Sequence, residues 1–471
     1  MTGPTLLWFR RDLRLQDHPA LNAALRSGGA VIPVFIRDAL TEHLGAAPAL
    51  RLNDALAQFS RNLEQVGSRL ILRSGLAQDV LQKLIQETGA QAVFWTRCYD
   101  PAFRKRDSEI KKTLKKQGIK AQSYSGQLLF EPQDIRTGTG THYRVYTPFW
   151  RNVRGRDVGA LLPAPKALPA PQDWPRSERL SAWSLGRAMQ RGAPILRAHF
   201  QAGEDAALTR LEHFSDARLA SYAQDRDRPG LDGTSGMSEY LALGEISPHR
   251  CWHRGQLELE AGTQGAEKWL KELAWREFAY HLAYHDPHIT TRSWKPDWDR
   301  FPWQTDPDHP HVLAWKQGRT GVPFVDAALR EMYVTGRMHN RGRMIVAAYL
   351  TKHLMTHWKI GQDWFADCLI DWDPAANAMG WQWSAGSGPD AAPYFRIFNP
   401  DTQLAKFDPA QDYVRKWIAE GQKAPPPTAL SYFQAIPRSW GMSPSDLYPQ
   451  PIVSLAEGRK TALMAYENRG F

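Results

Sequence analysis

Short apolar runs and longer amphipathic stripes alternate through the first quarter of the chain. Runs at 5–9, 30–36, 69–72 and 92–95, with a weaker one near 122–124, have the length of buried strands. Between them, residues 53–66, 77–88 and 103–116 repeat apolar side chains at helical spacing. Strand and helix in turn predict a parallel sheet with helices on both faces. Such a doubly wound α/β fold holds ligands at the C-terminal ends of its strands. The pattern then breaks where Pro163, Pro165, Pro169, Pro171 and Pro175 crowd together, a spacing that neither a helix nor a central strand tolerates. Beyond about residue 200 the periodicity is helical nearly throughout. The expected architecture is an α/β domain over residues 1–130, an interdomain linker over 131–200 and an all-α domain over 201–471, with no internal repeat.

Composition narrows the class. With 42% hydrophobic and 23% charged residues among 471, the balance is globular. Lys and Arg outnumber Asp and Glu by 59 to 49, and the net charge of +10 makes nucleic acid a reasonable partner. Cys98, Cys251 and Cys368 form no CxxC pair, which argues against disulfides and a cysteine zinc site and fits a reducing cytoplasm. No stretch reaches about 18 uninterrupted apolar residues, and the N-terminus lacks the apolar run of a secretory signal, so no membrane partner is expected. Nineteen tryptophans, most of them after residue 250, suit either a helical core or the stacking of planar ligands. Indole can also be oxidised by one electron.

Candidate chemistry concentrates in the helical part. The first strand is followed by Arg10-Arg11-Asp12 rather than GxGxxG, so no dinucleotide fingerprint is assigned, and Thr137–Thr141 (TGTGT) is expected to be a turn. Residues 267–284 predict a helix with Leu270, Leu273 and Ala274 on one side. Lys268, Glu272, Trp275, Arg276 and Ala279 lie on the other. A tryptophan between carboxylate and guanidinium on that face suits an aromatic ligand. Arg337, Asn340, Arg341 and Met344 share a second face, opposite Val346, Tyr349 and Leu350, and present donors suited to a base or phosphate. His281 and His285 have the spacing of a metal pair but no third ligand, so a structural role and no metal are expected. Residues 371–400 are the densest segment: Asp371, Asp373, Asn377, Trp381, Trp383, Tyr394 and Arg396 interleave with small residues that let backbone approach something large and flat.

These residues resemble the DNA photolyase/cryptochrome family over about 5–460. The resemblance rests on LLWFRRDLRLQDHPAL, DGTSGMSEYLALGEISP (232–248), WLKELAWREF (269–278), GRMHNRGRM (336–344) and the 371–400 block, in family order. It implies a bent FAD in the helical domain and an antenna chromophore in or beside the α/β domain. It also implies light-driven electron transfer from reduced flavin to a pyrimidine dimer flipped out of ultraviolet-damaged DNA.

Carried over by position, Tyr222, Thr234, Ser235, Gly236, Met237 and Ser238 would contact FAD phosphates and ribose. Trp269, Arg276, Asn340, Arg343, Asp371 and Asp373 would enclose the rest of the cofactor, with Asn377 facing flavin N5; without the resemblance, Asp371 and Asp373 read equally well as a helix-cap pair. Glu272, Trp275, Asn340, Met344 and Trp383 correspond to the dimer pocket. Arg226, Arg276, Arg341 and Arg396 would hold DNA phosphates without reading sequence. Trp381, Trp358 and Trp303 match the chain of indoles that re-reduces the flavin.

Two positions depart from the family, Arg337 where some relatives carry Trp and Met237 where Leu is common. The Arg97–Arg104 run lacks the Asn-Glu pair with which one bacterial branch holds methenyltetrahydrofolate, and its Tyr-Asp-Pro looks closer to the plant-cryptochrome-related bacterial branch. Methenyltetrahydrofolate is still the preferred antenna, with 8-hydroxy-deazaflavin next and an empty site the remaining alternative. The expected activity is that of a monomeric cyclobutane pyrimidine dimer photolyase. The alternatives are a cryptochrome photoreceptor and a (6-4) photolyase.

Overall fold

The computed structural model describes residues 3–390 and 396–471. Five strands form one fully parallel sheet: β1 (Thr5–Phe9), β2 (Val31–Arg37), β3 (Ile71–Ser74), β4 (Ala92–Thr96) and β5 (Lys120–Tyr124), in the order β3-β2-β1-β4-β5. Thr5 is in register with Val31 on one side and with Ala92 on the other. Side chains alternate across β1. Leu7 and Phe9 enter a core shared with α1 (Pro19–Arg26) and α2 (Ala46–Gln65), while Leu6 and Trp8 face α3 (Ala77–Thr88) and α4 (Pro101–Lys116). Burial on both faces is why these strands read as unbroken apolar runs.

In this strand order the crevice between the C-terminal ends of β1 and β4 is the usual ligand position. Here arginines from the turn after β1 fill it. Arg10 is buried against Asp107 at 2.8 Å, and Arg11 donates to Asp100 at 3.1 Å, Asp373 at 3.3 Å and the Ala242 carbonyl at 2.9 Å. The expected ligand position thus docks the helical layer. Arg14 adds bonds to the Gly126 and Gly244 carbonyls, and a Cβ at Gly244 (φ +67°) would collide with the Arg11 carbonyl. The proline-rich residues 161–175 carry neither helix nor strand. They are nevertheless bound along the α/β layer, with Val31 N–H donating to Pro169 and Leu168 N–H to Val66.

The remaining chain is helical. The elements that position the site are α5 (Tyr146–Val153), α6 (Glu204–Ala217), α7 (Ser238–Leu243), α8 (Pro248–Glu260), α9 (Ala266–His285), α10 (Pro323–Thr335), α11 (Asn340–Ala348), α12 (Trp358–Cys368) and α13 (Pro374–Ala385). Helix α9 is buried nearly all round in its C-terminal half, where Ala279 lies in the core rather than on the expected polar side. Only its N-terminal turns keep an open stripe. Among the described residues no helix is long and apolar enough to cross a membrane.

Candidate functional site

The stripe on α9 holds Glu272, Trp275 and Arg276, each half-buried. Glu272 accepts a charge-assisted hydrogen bond from Arg226, which also lies over the Tyr222 ring at 5.3 Å. Asp227 stands 4.0 Å from Arg226 and pairs with Arg341 at 2.8 Å. Arg341 in turn lies 4.2 Å over the Phe407 ring and reaches the Met344 sulfur at 3.9 Å. The expected phosphate-binding arginines 226 and 341 are therefore each paired with a carboxylate, because the chain folds Asp227 and Glu272 between them. Asn340 opens α11 with an exposed side chain, and His339 caps that helix through Nδ1, which accepts from Arg341 N–H at 3.1 Å. Burial pushes the His339 imidazole down to about 4.

Arg276 is expected both beside the cofactor and on DNA. It donates to Glu277 at 2.9 Å and to the Gln127 carbonyl at 3.0 Å, tying α9 to the segment after β5. Glu277 also accepts from Leu129 N–H at 2.8 Å; burial outweighs these partners and pushes its carboxyl up to about 7. Arg396 is exposed and lies 5.8 Å from the Phe398 ring, which packs 6.4 Å from Trp383. Tyr394 lies outside the described residues.

The loop 232–238 is set by Arg210 of α6, which donates to the Thr234 and Ser235 carbonyls at 2.6 and 2.8 Å and grips Asp232. Ser238 is exposed and Thr234 and Ser235 are half-buried, with the Ser235 hydroxyl accepting from Met237 N–H at 3.4 Å; Gly236 at φ +67° makes the bend and Met237 is buried. Arg337 pairs with buried Glu239 of α7 at 2.6 and 2.7 Å. Tyr222 and Trp269 both pack on Phe214, at 5.4 and 5.2 Å.

Arg343 holds Asp371 through two contacts of 3.0 and 2.8 Å. Asp373, expected beside the cofactor or as a helix cap, is engaged within the protein. One oxygen caps α13 by accepting from Ala376 N–H at 2.9 Å, and the other accepts from Tyr280 at 2.7 Å and from Arg11. Asn377 donates to the Asp373 carbonyl at 2.9 Å, so Asp373 also orients this amide.

Trp381, one turn further on, is buried against Phe365 at 4.8 Å and Trp315 at 6.1 Å, and a Cβ on Gly361 would collide with its ring. Trp358 is fully buried in the same core cluster. His357 stacks on Trp358 at 5.4 Å and meets half-buried Trp303 at 5.9 Å, so an imidazole bridges the two outer indoles.

Sequence reasoning missed Tyr146, Asp227, Arg210, His357 and Phe407. Tyr146 stacks on Trp275 with ring centroids 3.5 Å apart and planes within 6°. The aromatic cluster Tyr143, Tyr146, Phe149 and Trp150 was the available signal, inside a stretch assigned to the linker.

The histidines of α9 join a third. His142 stacks on His285 at 4.7 Å, and His281 Nε2 accepts from Tyr143 N–H at 3.0 Å, latching the loop that leads into α5. Among the described residues no group of three or more His, Cys, Asp or Glu is arranged to hold a metal. Burial, then the neighbouring charges of His285 and His142, pushes His281 down to about 3. An unfolded histidine takes a proton below about 6.5, which the folded one refuses. The stability it contributes is therefore present above that pH and lost as pH falls, by up to about 1.4 kcal/mol per unit. His281→Gln keeps an acceptor for Tyr143 N–H and cannot titrate, so denaturant unfolding should show a shallower loss of stability between pH 6.5 and 4. An unchanged slope would place the acid sensitivity elsewhere.

Comparison with known proteins accords with this arrangement. Residues 5–172 match DNA photolyase, and residues 269–468 match the FAD binding domain of DNA photolyase. A deoxyribodipyrimidine photo-lyase of Agrobacterium fabrum is 44% identical over 470 residues, covering 99% of this chain and 98% of its own. The crystal structure of a bacterial class III photolyase from Agrobacterium tumefaciens superposes with a TM-score of 0.92 at 43% identity, covering 100% of this chain and 98% of that one. A Synechocystis cryptochrome superposes at 0.83 with 29% identity, covering 99% of each chain. A two-layer flavoprotein with a parallel-sheet domain docked on a helical FAD-binding domain is the class defined. The chain belongs to the DNA photolyase family.

Proposed function

We propose that this protein is a light-driven lyase that splits cyclobutane pyrimidine dimers in ultraviolet-damaged DNA, acting as a cytoplasmic monomer. The observation that carries this is the α9 stripe, where Trp275 stands half-open beside a Glu272 held by Arg226. A dimer is poorly stacked and therefore easier to extrude, and an indole wall offsets the stacking it gives up. Glu272 accepts from a thymine edge, and Asn340, Met344 and Trp383 complete the pocket.

The donor set fits FAD. The buried Trp381 indole N–H and Arg341 Nε–H have no protein partner, and the Thr234, Ser235 and Ser238 hydroxyls are of a kind that suits phosphate oxygens. Tyr222, Thr234, Ser235, Gly236, Met237 and Ser238 would hold the phosphates and ribose. Trp269 and the Arg343–Asp371 pair would flank the remainder, with the Asn377 amide aimed by Asp373. When bound, the reduced flavin supplies on excitation one electron that opens the cyclobutane ring and then returns. Trp381, Trp358 and Trp303 would pass electrons inward from solvent.

Arg396 is free to meet a DNA phosphate, and Arg226 and Arg341 would do so with guanidinium N–H groups that their carboxylate partners leave over. For the antenna we favour a folate beside the α/β domain. Tyr99 and Asp100 of the antenna run are engaged with Glu131 and Arg11, so they would shape that site rather than contact the chromophore.

Dark binding to matched duplexes tests the pocket. Dimer-containing DNA should bind far more tightly than undamaged DNA, with (6-4)-containing DNA no better than undamaged. Equal affinity for all three would reject the assignment, and preference for the (6-4) lesion would favour that alternative. Against the latter, the one histidine beside Asn340 has Nδ1 engaged as a helix cap.

A further inference from the structure

Tyr146 lies outside every segment that suggested the pocket, yet it covers one whole face of Trp275. Two free aromatic rings prefer an offset or edge-on arrangement to full overlap, so this geometry is imposed by its surroundings. The constraints are visible. The Tyr146 hydroxyl donates to the Lys271 carbonyl at 2.7 Å, one turn before Trp275 on α9. Tyr146 and Trp275 each also meet the Phe278 ring edge-on, at 5.9 Å and 71°. Behind Tyr146, Phe149, Trp150 and Val153 anchor α5 in the helical core. Trp275 thus has a fixed rotamer and a single face left for a ligand.

We propose that Tyr146 is a positioning residue for lesion recognition. By stacking on the back of Trp275 it holds the indole in the binding orientation before DNA arrives and restricts stacking of the dimer to the opposite face. A base on that face then completes a three-layer stack of base, Trp275 and Tyr146. Binding no longer includes the cost of ordering the indole, a saving of roughly three- to tenfold in affinity for one immobilised side chain. The hydroxyl serves to seat the ring. Burial and the nearby Glu272 carboxylate push its ionisation far above the ordinary tyrosine range, so it stays neutral. This inference rests on the dimer-pocket reading.

The test uses the full-length, flavin-loaded protein and two variants, Tyr146→Ala and Tyr146→Phe. Dissociation constants are measured in the dark for dimer-containing and undamaged duplexes, and repair is measured at saturating dimer DNA. Tyr146→Ala should weaken dimer binding by about three- to tenfold. It should leave affinity for undamaged DNA, flavin content and repair of the bound dimer as in the parent. Tyr146→Phe keeps the ring and should bind dimer DNA close to the parent. Parent-like dimer affinity in Tyr146→Ala would overturn the proposal. So would a loss shared with undamaged DNA or flavin content, or a Tyr146→Phe variant as weak as the alanine. A parent that shows no preference for dimer DNA overturns the pocket reading first, and this proposal with it.

Discussion

Replacing Trp381 by phenylalanine should abolish light-driven reduction of the oxidised flavin while chemically pre-reduced protein still repairs dimers. Trp381 is buried on α13, one turn beyond Asn377, with Phe365 and Trp315 against its ring and Gly361 close beneath it. Phenylalanine preserves an aromatic filler but is far harder to oxidise, so it cannot relay an electron from Trp358 and Trp303. The smaller ring leaves a gap that costs about 1–2 kcal/mol of stability, too little to unfold a chain of this size. The measurement is the bleaching of oxidised flavin absorbance under blue light with a thiol donor, beside repair by dithionite-reduced protein. Parent-like bleaching would remove Trp381 from the route. Loss of both activities would mean that the flavin site itself had been disturbed.

Trp275→Ala should weaken binding to dimer-containing DNA by about 1–3 kcal/mol, roughly five- to 150-fold, and change binding to undamaged DNA little. The asymmetry follows from placement. Trp275 offers one open indole face and no charge, so it contributes only where a base leaves the helix to stack on it. Binding of undamaged duplex depends instead on phosphate contacts and should keep its salt dependence. Equal affinity of variant and parent for the lesion would reject Trp275 as the wall of the pocket.

What the sequence made legible was whatever depends on local periodicity. The run at Thr5–Phe9 is the observed β1, and residues 77–88 form the observed α3, because strands buried on both faces and amphipathic helices write their period directly into the chain. The stripe on α9 was visible for the same reason, whereas the second was legible only from Asn340 on, because Arg337 lies in the turn before α11 and not on its face. Pairings between distant segments were not. Arg226 and Arg341 read as phosphate contacts, and nothing local tells that the fold brings Glu272 and Asp227 against them. Asp373 reads as a cofactor ligand or a helix cap, and nothing local tells that Arg11, from the turn after β1, reaches across to it. Tyr146 was hidden because its partner lies more than a hundred residues along the chain, on a helix whose pattern gives no hint of what covers its indole. His357, between Trp303 and Trp358, is a like case: adjacency in sequence to one indole says nothing of the other.

These particulars bear on how the two layers cooperate. Arg11 links Asp100 at the end of the sheet to Asp373, and Asp373 sets both the start of α13 and the Asn377 amide. The α/β layer therefore fixes the helix that carries Asn377, Trp381 and Trp383, besides whatever chromophore it holds.

The central claim is that light absorbed by the reduced flavoprotein breaks the cyclobutane ring of a lesion seated against Trp275. The most direct measurement is blue-light illumination of the flavin-reduced protein with an oligonucleotide carrying one thymine dimer, followed by recovery of thymine ultraviolet absorbance and intact-strand analysis. The account predicts light-dependent return of two normal thymines, with none in the dark. Stoichiometric binding of the damaged strand, a reduced flavin and prolonged illumination that left every dimer closed would contradict it.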